Sequence, residues 1–331
     1  MNRKFLSLAV LGVFLAFAFA FPYLGTSGYV VSLGQTILIA GMLAASLNFL
    51  VGDAAMASLG HGAIAAASSY AVAWASKQGM GPLAQILLAL AITLVVSFTY
   101  GVLSMRTNGI YFLMVTLALG MVIWGLAYRW SSVTGGENGI SGVNAPESIE
   151  PYWIYYYVVL VAFLAATALL WVVSKSPFGA SLRGIRDSES RMRSLGYNVS
   201  AYKLGAFMIS GFVAGTAGLF AVWHTHFVSP SSAGIHRSVL LIVMVILGGV
   251  GTTWGPLIGA SIVVLVENVL SNSIERWPTL LGLIFIFTIL FARAGIAGSI
   301  DKFMKRGRSS ESSSPPSNRG PVDAAASTPT H

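Results

Sequence analysis

The stretch Leu83–Met105 reads LAQILLALAITLVVSFTYGVLSM and carries no charged residue. A helix of this length is long enough to cross the hydrocarbon core of a bilayer, which needs about 20 apolar residues. Lipid offers no partner for backbone N–H and C=O groups, so such a stretch can cross a membrane only as a helix. We therefore predict a transmembrane α-helix at this place in the chain.

Apolar runs of similar length recur on both sides of this stretch, and the chain of 331 residues is 55% hydrophobic and only 9% charged. A soluble domain averages roughly 25% charged residues, and the alternating pattern of a membrane β-barrel is not found. The sequence predicts an all-α integral membrane protein with about ten transmembrane helices. The small-residue run near Leu59 and the short run near Val239 could be tilted or re-entrant. The ten expected spans are Phe5–Phe21, Tyr29–Gly52, Leu59–Ala75, Leu83–Met105, Ile110–Tyr128, Trp153–Val173, Leu204–Trp223, Val239–Gly251, Gly255–Leu270 and Pro278–Phe291.

The positions of the Lys and Arg residues predict the orientation of these helices. With the N-terminus in the cytoplasm, 15 of the 19 basic residues fall on the cytoplasmic side, as is typical of inner-membrane proteins. We therefore expect both termini in the cytoplasm of a bacterial cell.

Three segments follow from this pattern. Residues 1–28 hold the first helix, which also resembles a signal peptide because Arg3 and Lys4 precede an apolar run ending Ala-Phe-Ala-Phe-Pro. Residues 29–295 form the core. Residues 296–331 are basic and then rich in Ser, Pro and Ala, and we predict a disordered cytoplasmic tail.

One substantial cytoplasmic loop covers residues 175–203. Ser176 suits a helix N-cap, Pro177 the first helical position, and Gly196 the residue after a helix end. An apolar stripe recurs between them at helical spacing, so we predict one short amphipathic helix. The members of this stripe are Phe178, Leu182, Ile185, Met192 and Leu195. This helix could rest on anionic lipid or dock on a cytoplasmic protein. Interleaved acidic and basic side chains favour a protein groove.

The loop reads SPFGASLRGIRDSESRMRSLGYNV and resembles the cytoplasmic loop of branched-chain amino acid ABC permeases of the LivM type. Met192 departs from this pattern, because the family usually has alanine there, and the docking surface could be bulkier at this point. Five further stretches agree with the family in the same order: SLGHG at Ser58–Gly62, GIYFLMVTLAL at Gly109–Leu119, TGGENGISG at Thr134–Gly142, FVSP at Phe227–Pro230 and LGGVGTTWGPLIGA at Leu247–Ala260.

The resemblance implies a type II importer architecture with a cytoplasmic coupling helix that docks on separate ABC ATPase subunits. It also implies a second homologous permease subunit in a heterodimer, a periplasmic substrate-binding protein and contact with membrane lipid, but no nucleic acid. The docking residues that it implies are Arg183, Arg186, Asp187, Glu189, Arg191, Leu195 and Gly196.

The chain contains no G-x-x-x-x-G-K-[ST] phosphate loop, so ATP hydrolysis is expected in another subunit. No catalytic residue and no cofactor is expected in this chain. We predict the permease subunit of an ATP-driven importer for branched-chain amino acids or related small amides and amino acids.

Candidate residues for the translocation pathway or a gate occur in the family-like motifs and in one later span. His61 could instead set helix packing through a hydrogen bond to a backbone carbonyl. Glu267 is the only acidic residue well inside a predicted span, where a carboxylate suggests a function, although it could also be neutral and hydrogen-bonded. The full set of pathway candidates is Ser58, His61, Tyr111, Thr116 and Glu267.

The glycine-rich stretch Thr134–Gly142 is expected in an outer loop. Gly136, Asn138 and Ser141 could shape the substrate mouth or contact a binding protein, or the stretch could be only a flexible connector. Its sequence around Ser141 also matches the G-x-S-G of rhomboid-type serine proteases, but no apolar helix follows this serine.

A second class of function stays open, namely an ion-coupled secondary transporter or channel that works without an ATPase through Glu267 or His61. The scarcity of ionisable residues inside the spans argues against it. His224 and His226 form an H-x-H pair, which we interpret as part of an exposed loop rather than a metal site. The chain has no cysteine, which excludes disulfides and thiol chemistry.

Overall fold

A computed structural model of the chain describes residues 28–270 and the single positions 19, 22, 279, 282, 283, 286 and 295. The predicted spans Phe5–Phe21 and Pro278–Phe291, the signal-peptide alternative and the tail 296–331 lie outside the described residues. The total of ten spans and the limits of the core therefore stay predictions.

The eight predicted spans that fall within residues 28–270 each overlap a helix. Five helices, α1, α3, α4, α6 and α9, are long and apolar enough to cross a membrane. A π-helical turn over Val266–Leu270 continues the last helix. The helices are α1 (Gly28–Ala54), α2 (His61–Lys77), α3 (Pro82–Ser104), α4 (Ile110–Arg129), α5 (Ser131–Thr134), α6 (Tyr152–Lys175), α7 (Pro177–Asp187), α8 (Glu189–Ser194), α9 (Val199–Thr225), α10 (Ile235–Gly248) and α11 (Gly255–Leu265).

Two helices, α1 and α9, form the centre of the bundle. In their most apolar stretches 56% of α1 and 61% of α9 is buried, against 22–28% of α3, α4 and α6. α1 packs against α6, α9 and α11, and α9 also packs against α2 and α3. The outer helices expose apolar side chains such as Leu87, Val95 and Val122. Such faces suit contact with lipid chains.

Small residues allow α9 to approach its neighbours closely. A Cβ at Gly215 would collide with the side chain of Thr93 in α3, and a Cβ at Gly218 would collide with the carbonyl of Ala65 in α2. The hydroxyl of Ser69 donates a hydrogen bond to the carbonyl of Gly218 at 2.6 Å. The hydrophobic effect does not hold helices together within lipid. Close packing at small residues and hydrogen bonds between helices stabilise their association instead.

The two ends of the bundle carry different structures. At one end, β1 (Ile140–Ser141) pairs antiparallel with β2 (Phe227–Val228), and we call this the strand end. The two strands belong to the family-like motifs TGGENGISG and FVSP, which are far apart in the chain. The opposite end carries α7 and α8, and we call it the loop end.

The chain between α1 and α2 re-enters the bundle as non-helical backbone over residues 55–60. Ser58 and Leu59 are 1% and 9% exposed, and the Leu59 N–H donates to the hydroxyl of Thr116 at 3.1 Å. α2 therefore begins inside the bundle, at His61. Irregular backbone at such depth is tolerated in a membrane protein when other protein groups surround it.

The prediction of one helix in the loop 175–203 is wrong, because the segment forms the two helices α7 and α8. Ser188 has extended backbone angles (φ −163°, ψ 101°) between them, and its hydroxyl accepts a hydrogen bond from the Arg191 N–H at 3.4 Å. A capping serine offers the backbone an alternative to continued helix. Met192 packs against Gly184, so it fills the joint between α7 and α8. Ser176 caps α7 as predicted.

Candidate functional site

A cavity of about 680 Å³ lies between α1, α2, α9 and α10 and extends to the strand end. Three serines of the turn that follows β2, Ser229, Ser231 and Ser232, stand at one side, and the π-helical turn after α11 also reaches the cavity. The apolar part of the lining comes from α1, α9 and α10 and includes Ile39, Leu43, Val222, Leu240 and Met244. The cavity therefore combines apolar walls with a polar side.

Two side chains of opposite charge line this cavity. Arg237 lies in the first turn of α10, and Glu267 lies in the π-helical turn. Glu267 is thus the predicted pathway residue that the structure places on the cavity. Arg237 was not singled out in the sequence, where it counted only as one of the few basic residues on the outer side.

His224 also lines the cavity, in the last turn of α9. Its Nε2 lies 3.1 Å from the hydroxyl of Thr36 in α1, and its ring stacks on Tyr155 with a centroid distance of 6.2 Å. The prediction that the H-x-H pair forms an exposed loop is wrong for His224, because α9 extends two residues beyond the predicted span. His226 is exposed and has a left-handed backbone conformation.

His61 belongs to a buried hydrogen-bond network between three helices. Its Nε2 lies 2.8 Å from the hydroxyl of Ser210 in α9, and Ser210 donates to the carbonyl of Ser46 in α1 at 2.7 Å. Because Ser210 uses its one proton for Ser46, His61 Nε2 must be the donor in the first contact. His61 is 0% exposed, and its Nδ1 has no partner among the described residues. This arrangement corresponds to the helix-packing interpretation, although the partner is a hydroxyl and not a backbone carbonyl.

The remaining pathway candidates lie away from the lining of this cavity. Ser58 and Thr116 are buried at 1% and 0% exposure and help to hold residues 55–60. Tyr111 is 73% exposed on the outer surface of α4. A role of these residues or of His61 in a gate stays a prediction.

At the loop end, α7 is bound to the end of α1 by two arginines. Arg183 Nη1 donates to Asp53 Oδ1 at 2.8 Å and to the Ser174 carbonyl at 2.7 Å, and Arg186 Nη1 donates to the Gly52 carbonyl at 2.6 Å. The last turn of α1 has no basic residue of its own. The two guanidinium groups therefore supply the positive charge that stabilises a helix C-terminus. Both arginines, predicted to dock on a partner, bind within the chain.

α8 is bound to α9 by an ion pair. Glu189 accepts hydrogen bonds from Lys203 Nζ at 2.8 Å and from Arg193 Nη2 at 2.6 Å, and Lys203 also donates to Asn108 Oδ1 at 2.5 Å. Lys203 is only 5% exposed. Partial burial alone would raise the pKa of Glu189, but the hydrogen bonds and charges of Lys203 and Arg193 outweigh it, so its pKa lies below the ordinary value.

The other predicted docking residues remain on the surface. Asp187, Arg191, Leu195 and Gly196 are exposed, and Leu195 is 67% exposed although it was predicted within the apolar stripe. The loop end therefore presents a surface of mixed polar and apolar character around α8.

The connection between α10 and α11 is also held against α1. Asn48 accepts a hydrogen bond from the Gly251 N–H and donates one to the Thr252 carbonyl, both at 2.9 Å. A Cβ at Gly52 would meet the Gly251 backbone at 2.7 Å, and Gly251 itself has φ +75°. Gly52 is therefore required for the close approach of α1 to this connection, and Gly251 for the left-handed backbone of the connection.

The stretch Thr134–Gly142 is an ordered part of the strand end. Gly139 has φ +68°, and a Cβ there would collide with the Val228 carbonyl of β2. Gly136 is buried, whereas Asn138 and Ser141 are exposed. Contact of these residues with a binding protein stays a prediction. Ser141 lies in β1 and not at the start of a helix, which does not fit the rhomboid pattern.

No group of three His, Cys, Asp or Glu side chains is placed to hold a metal ion within the part of the chain that the structure describes. Sequence reasoning missed Arg237, Thr36 and Lys203. A signal for Arg237 was its position at the start of an apolar helix, where the helix dipole disfavours a cation. The roles of Thr36 and Lys203 could not be predicted from the sequence, because their hydrogen-bond partners are distant in the chain.

A model of the family described as "Branched-chain amino acid transport system / permease component" matches residues 28–294. The chain is 27% identical over 310 residues to the high-affinity branched-chain amino acid transport system permease protein LivM of Salmonella typhimurium, and the match covers 85% of this chain and 73% of LivM. It is 26% identical over 222 residues to the autoinducer 2 import system permease protein LsrC of Yersinia pestis, covering 63% and 60% of the two chains. The solved structure of PsaBC from Streptococcus pneumoniae in complex with Fab matches with a TM-score of 0.34 and 16% identity over 75% of this chain and 94% of that one, which is too low to bear on the fold.

Proposed function

Since this chain belongs to the family of branched-chain amino acid transport system permease components, we propose that it is the membrane-spanning subunit of an ATP-driven importer. The family consists of transport components and not of enzymes. The proposed cargo is a branched-chain amino acid or a related small amino acid or amide. The chain itself performs no chemistry on this cargo, and ATP is hydrolysed by separate subunits.

The contacts of α7 and α8 support this proposal. α7 is bound to α1 through Arg183 and Arg186, and α8 is bound to α9 through Glu189 and Lys203. α1 and α9 are the two central helices, and both line the cavity. A partner that displaced α7 and α8 would therefore move two walls of the cavity. A helix that only rested on lipid would have no need of these fixed contacts.

In the proposed cycle, ATPase subunits bind the exposed surface of α8 around Arg191 and Leu195. Their closure on ATP displaces α7 and α8 and tilts α1 and α9, so that the cavity opens alternately toward the two ends of the bundle. The strand end faces the periplasm, where a substrate-binding protein meets Asn138 and Ser141. The loop end and both termini face the cytoplasm of a bacterial cell. A second, homologous permease completes the pathway as a heterodimer.

The test is purification of the full chain with its natural partners in mild detergent, followed by mass spectrometry and an ATPase assay. The docking variant is Arg191→Ala with Leu195→Ala, because both side chains are exposed and neither joins α8 to α1 or α9. The matched control is Arg129→Ala with Met80→Ala, a cation and an apolar side chain exposed at the strand end.

We expect an ATPase and a second permease to co-purify with the wild type and the control, and the ATPase to be at least about tenfold depleted from the docking variant, because hot-spot losses at interfaces reach this size. An ATPase that stays bound to the docking variant would contradict the proposed docking surface. A wild-type chain that purifies alone and moves substrate in ATP-free proteoliposomes would instead establish ion-coupled transport and overturn the importer assignment.

A further inference from the structure

The two charged residues of the cavity are not neutralised by the rest of the described chain. Arg237 and Glu267 both line the cavity, yet neither forms an ion pair or a hydrogen bond with any residue between 28 and 270, including each other. The four ion pairs of this part of the chain all lie at the loop end. Opposite charges that share a cavity without pairing leave room for a ligand between them.

The fold does not require a charge at either position. Arg237 stands in the first turn of α10, where the helix dipole disfavours a cation. Glu267 stands in a π-helical turn that continues the apolar helix α11, and such turns occur mostly at functional sites. An ionisable side chain in an apolar helix is costly and by default marks a ligand pathway.

The remaining lining complements a ligand with an apolar side chain. Ile39, Leu43, Leu240 and Met244 contribute apolar surface, and the cavity volume of about 680 Å³ exceeds that of a small metabolite. A neutral amide or a sugar-like molecule would use the polar side of the cavity but would leave two charges without partners.

We propose that this cavity selects zwitterionic amino acids with apolar side chains, with Arg237 binding the carboxylate and Glu267 binding the ammonium group. The permease then contributes its own selectivity in addition to that of a binding protein. This inference rests on the proposed function and narrows its cargo to amino acids, excluding neutral amides. Both contacts are charge-assisted hydrogen bonds, the stronger kind in proteins.

The test measures ligand binding to the permease complex directly, so that a binding protein cannot filter the ligands. The complex is placed in lipid nanodiscs without binding protein, and saturation-transfer NMR compares four ligands. These are L-leucine, L-leucinamide, which lacks the carboxylate, 4-methylpentanoate, which lacks the ammonium group, and neutral 3-methylbutanamide. Empty nanodiscs correct for partition into lipid.

Each charge is removed with a nearly isosteric change, Arg237→Gln or Glu267→Gln. The matched controls are Arg129→Gln and Glu147→Gln, which remove the same charges from exposed positions outside the cavity. In the wild type and the controls we expect leucine to bind about tenfold or more tighter than each analogue, because a hydrogen bond to a charged group contributes on that scale. Arg237→Gln should abolish the preference for leucine over leucinamide, and Glu267→Gln the preference over 4-methylpentanoate.

Each variant should thus lose the preference for one charged group only. This pattern is specific, because a merely structural role of either residue would weaken the binding of all four ligands together. Equal binding of leucine and 3-methylbutanamide by the wild type, or equal loss of all four ligands in both variants, would overturn the inference. Either result can occur while the ATPase still co-purifies with the chain, so a failure here is distinguishable from a failure of the importer assignment.

Discussion

Lys203 and Arg183 bind α8 and α7 to the bundle, but from different environments. The side chain of Lys203 is 6% exposed and that of Glu189 23%, whereas the side chain of Arg183 is 37% exposed. A buried charge that loses its partner costs about 3–5 kcal/mol, whereas an exposed ion pair contributes about 1 kcal/mol or less. The α8 contact is therefore the one whose loss is expected to affect stability.

We expect Glu189→Gln to lower the free energy of unfolding by about 3 kcal/mol at neutral pH, because it leaves the Lys203 ammonium with Asn108 alone. The folded-state pKa of Glu189 is depressed, so its contribution is fully present above the ordinary glutamate pKa of about 4.3 and is lost as pH falls through the lower folded value. Thermal unfolding of the two proteins in detergent across the pH range measures this.

The stability difference should be constant at neutral pH and should shrink only below about pH 4.3. Arg183→Gln is the matched control and should cost about 1 kcal/mol or less. A difference that disappears already near pH 6 would contradict the depressed pKa.

At the scale of elements, the hydropathy pattern located the helices but not all of their ends. The predicted span Leu204–Trp223 is α9 over Val199–Thr225, which starts earlier because the Asn198 side chain caps it through the Ala201 N–H at 3.1 Å. The run near Val239 ends at Gly248, where Gly249 leaves the helix with φ +114°. Apolar runs mark what lipid requires, whereas caps and glycines decide where a helix begins and ends.

The division of the loop segment into two helices could not be predicted from the spacing of its apolar residues. The stripe is continued by Met192 and Leu195, yet Ser188 ends α7 and starts α8 in a new direction. The decisive contacts are those of Glu189 with Lys203, across a helix boundary. Periodicity measures one helix at a time and carries no information about such partners.

The close contact of α2 with α9 leads to a prediction at the same scale. Gly218→Ala should lower the free energy of unfolding by about 1–3 kcal/mol, because the new methyl group collides with the Ala65 carbonyl and disturbs the hydrogen bond from Ser69. Chemical or thermal unfolding of the solubilised protein measures the change.

Gly125→Ala is the matched control, since a Cβ at Gly125 in α4 meets nothing within 4 Å. It should be neutral or stabilising by up to about 1 kcal/mol, as alanine favours helix more than glycine does. Equal destabilisation by both substitutions would show that the collision with the Ala65 carbonyl is not the cause of the stability loss.

At the scale of the whole molecule, membrane class and the places of the eight spans within residues 28–270 follow from composition and hydropathy alone. The cavity does not, because its lining comes from α1, α2, α9, α10, β2 and the turn after α11. Glu267 was found from the sequence because a lone acid in an apolar run is conspicuous. Arg237 and His224 were not, since each lies at the edge of a span, where charged and polar residues are ordinary.

The position of α7 and α8 on both central helices predicts a concerted movement. Since the chain has no cysteine, spin labels can be attached to it only at introduced sites. We expect the distance between labels at Tyr29→Cys and Thr225→Cys, at the strand ends of α1 and α9, to change by a few ångströms when the assembled complex binds ATP. Double electron–electron resonance measures this distance.

Labels at Leu83→Cys and Arg129→Cys, on the outer helices α3 and α4 at the same end, serve as the comparison and should move less. A larger change between the outer helices than between α1 and α9 would place the moving parts elsewhere in the bundle.

The contact of Asn48 with the α10–α11 connection gives α1 the properties of an unequal lever. Asn48 is the fulcrum, Asp53 stands about 8 Å from it on one arm, and Thr36 stands about 18 Å from it on the other, at 1.5 Å per residue. A push on Arg183 that shifts Asp53 by about 1 Å would then swing Thr36 by about 2 Å. The short arm meets α7 and the long arm lines the cavity, so a small displacement at the loop end becomes a larger displacement of the cavity wall.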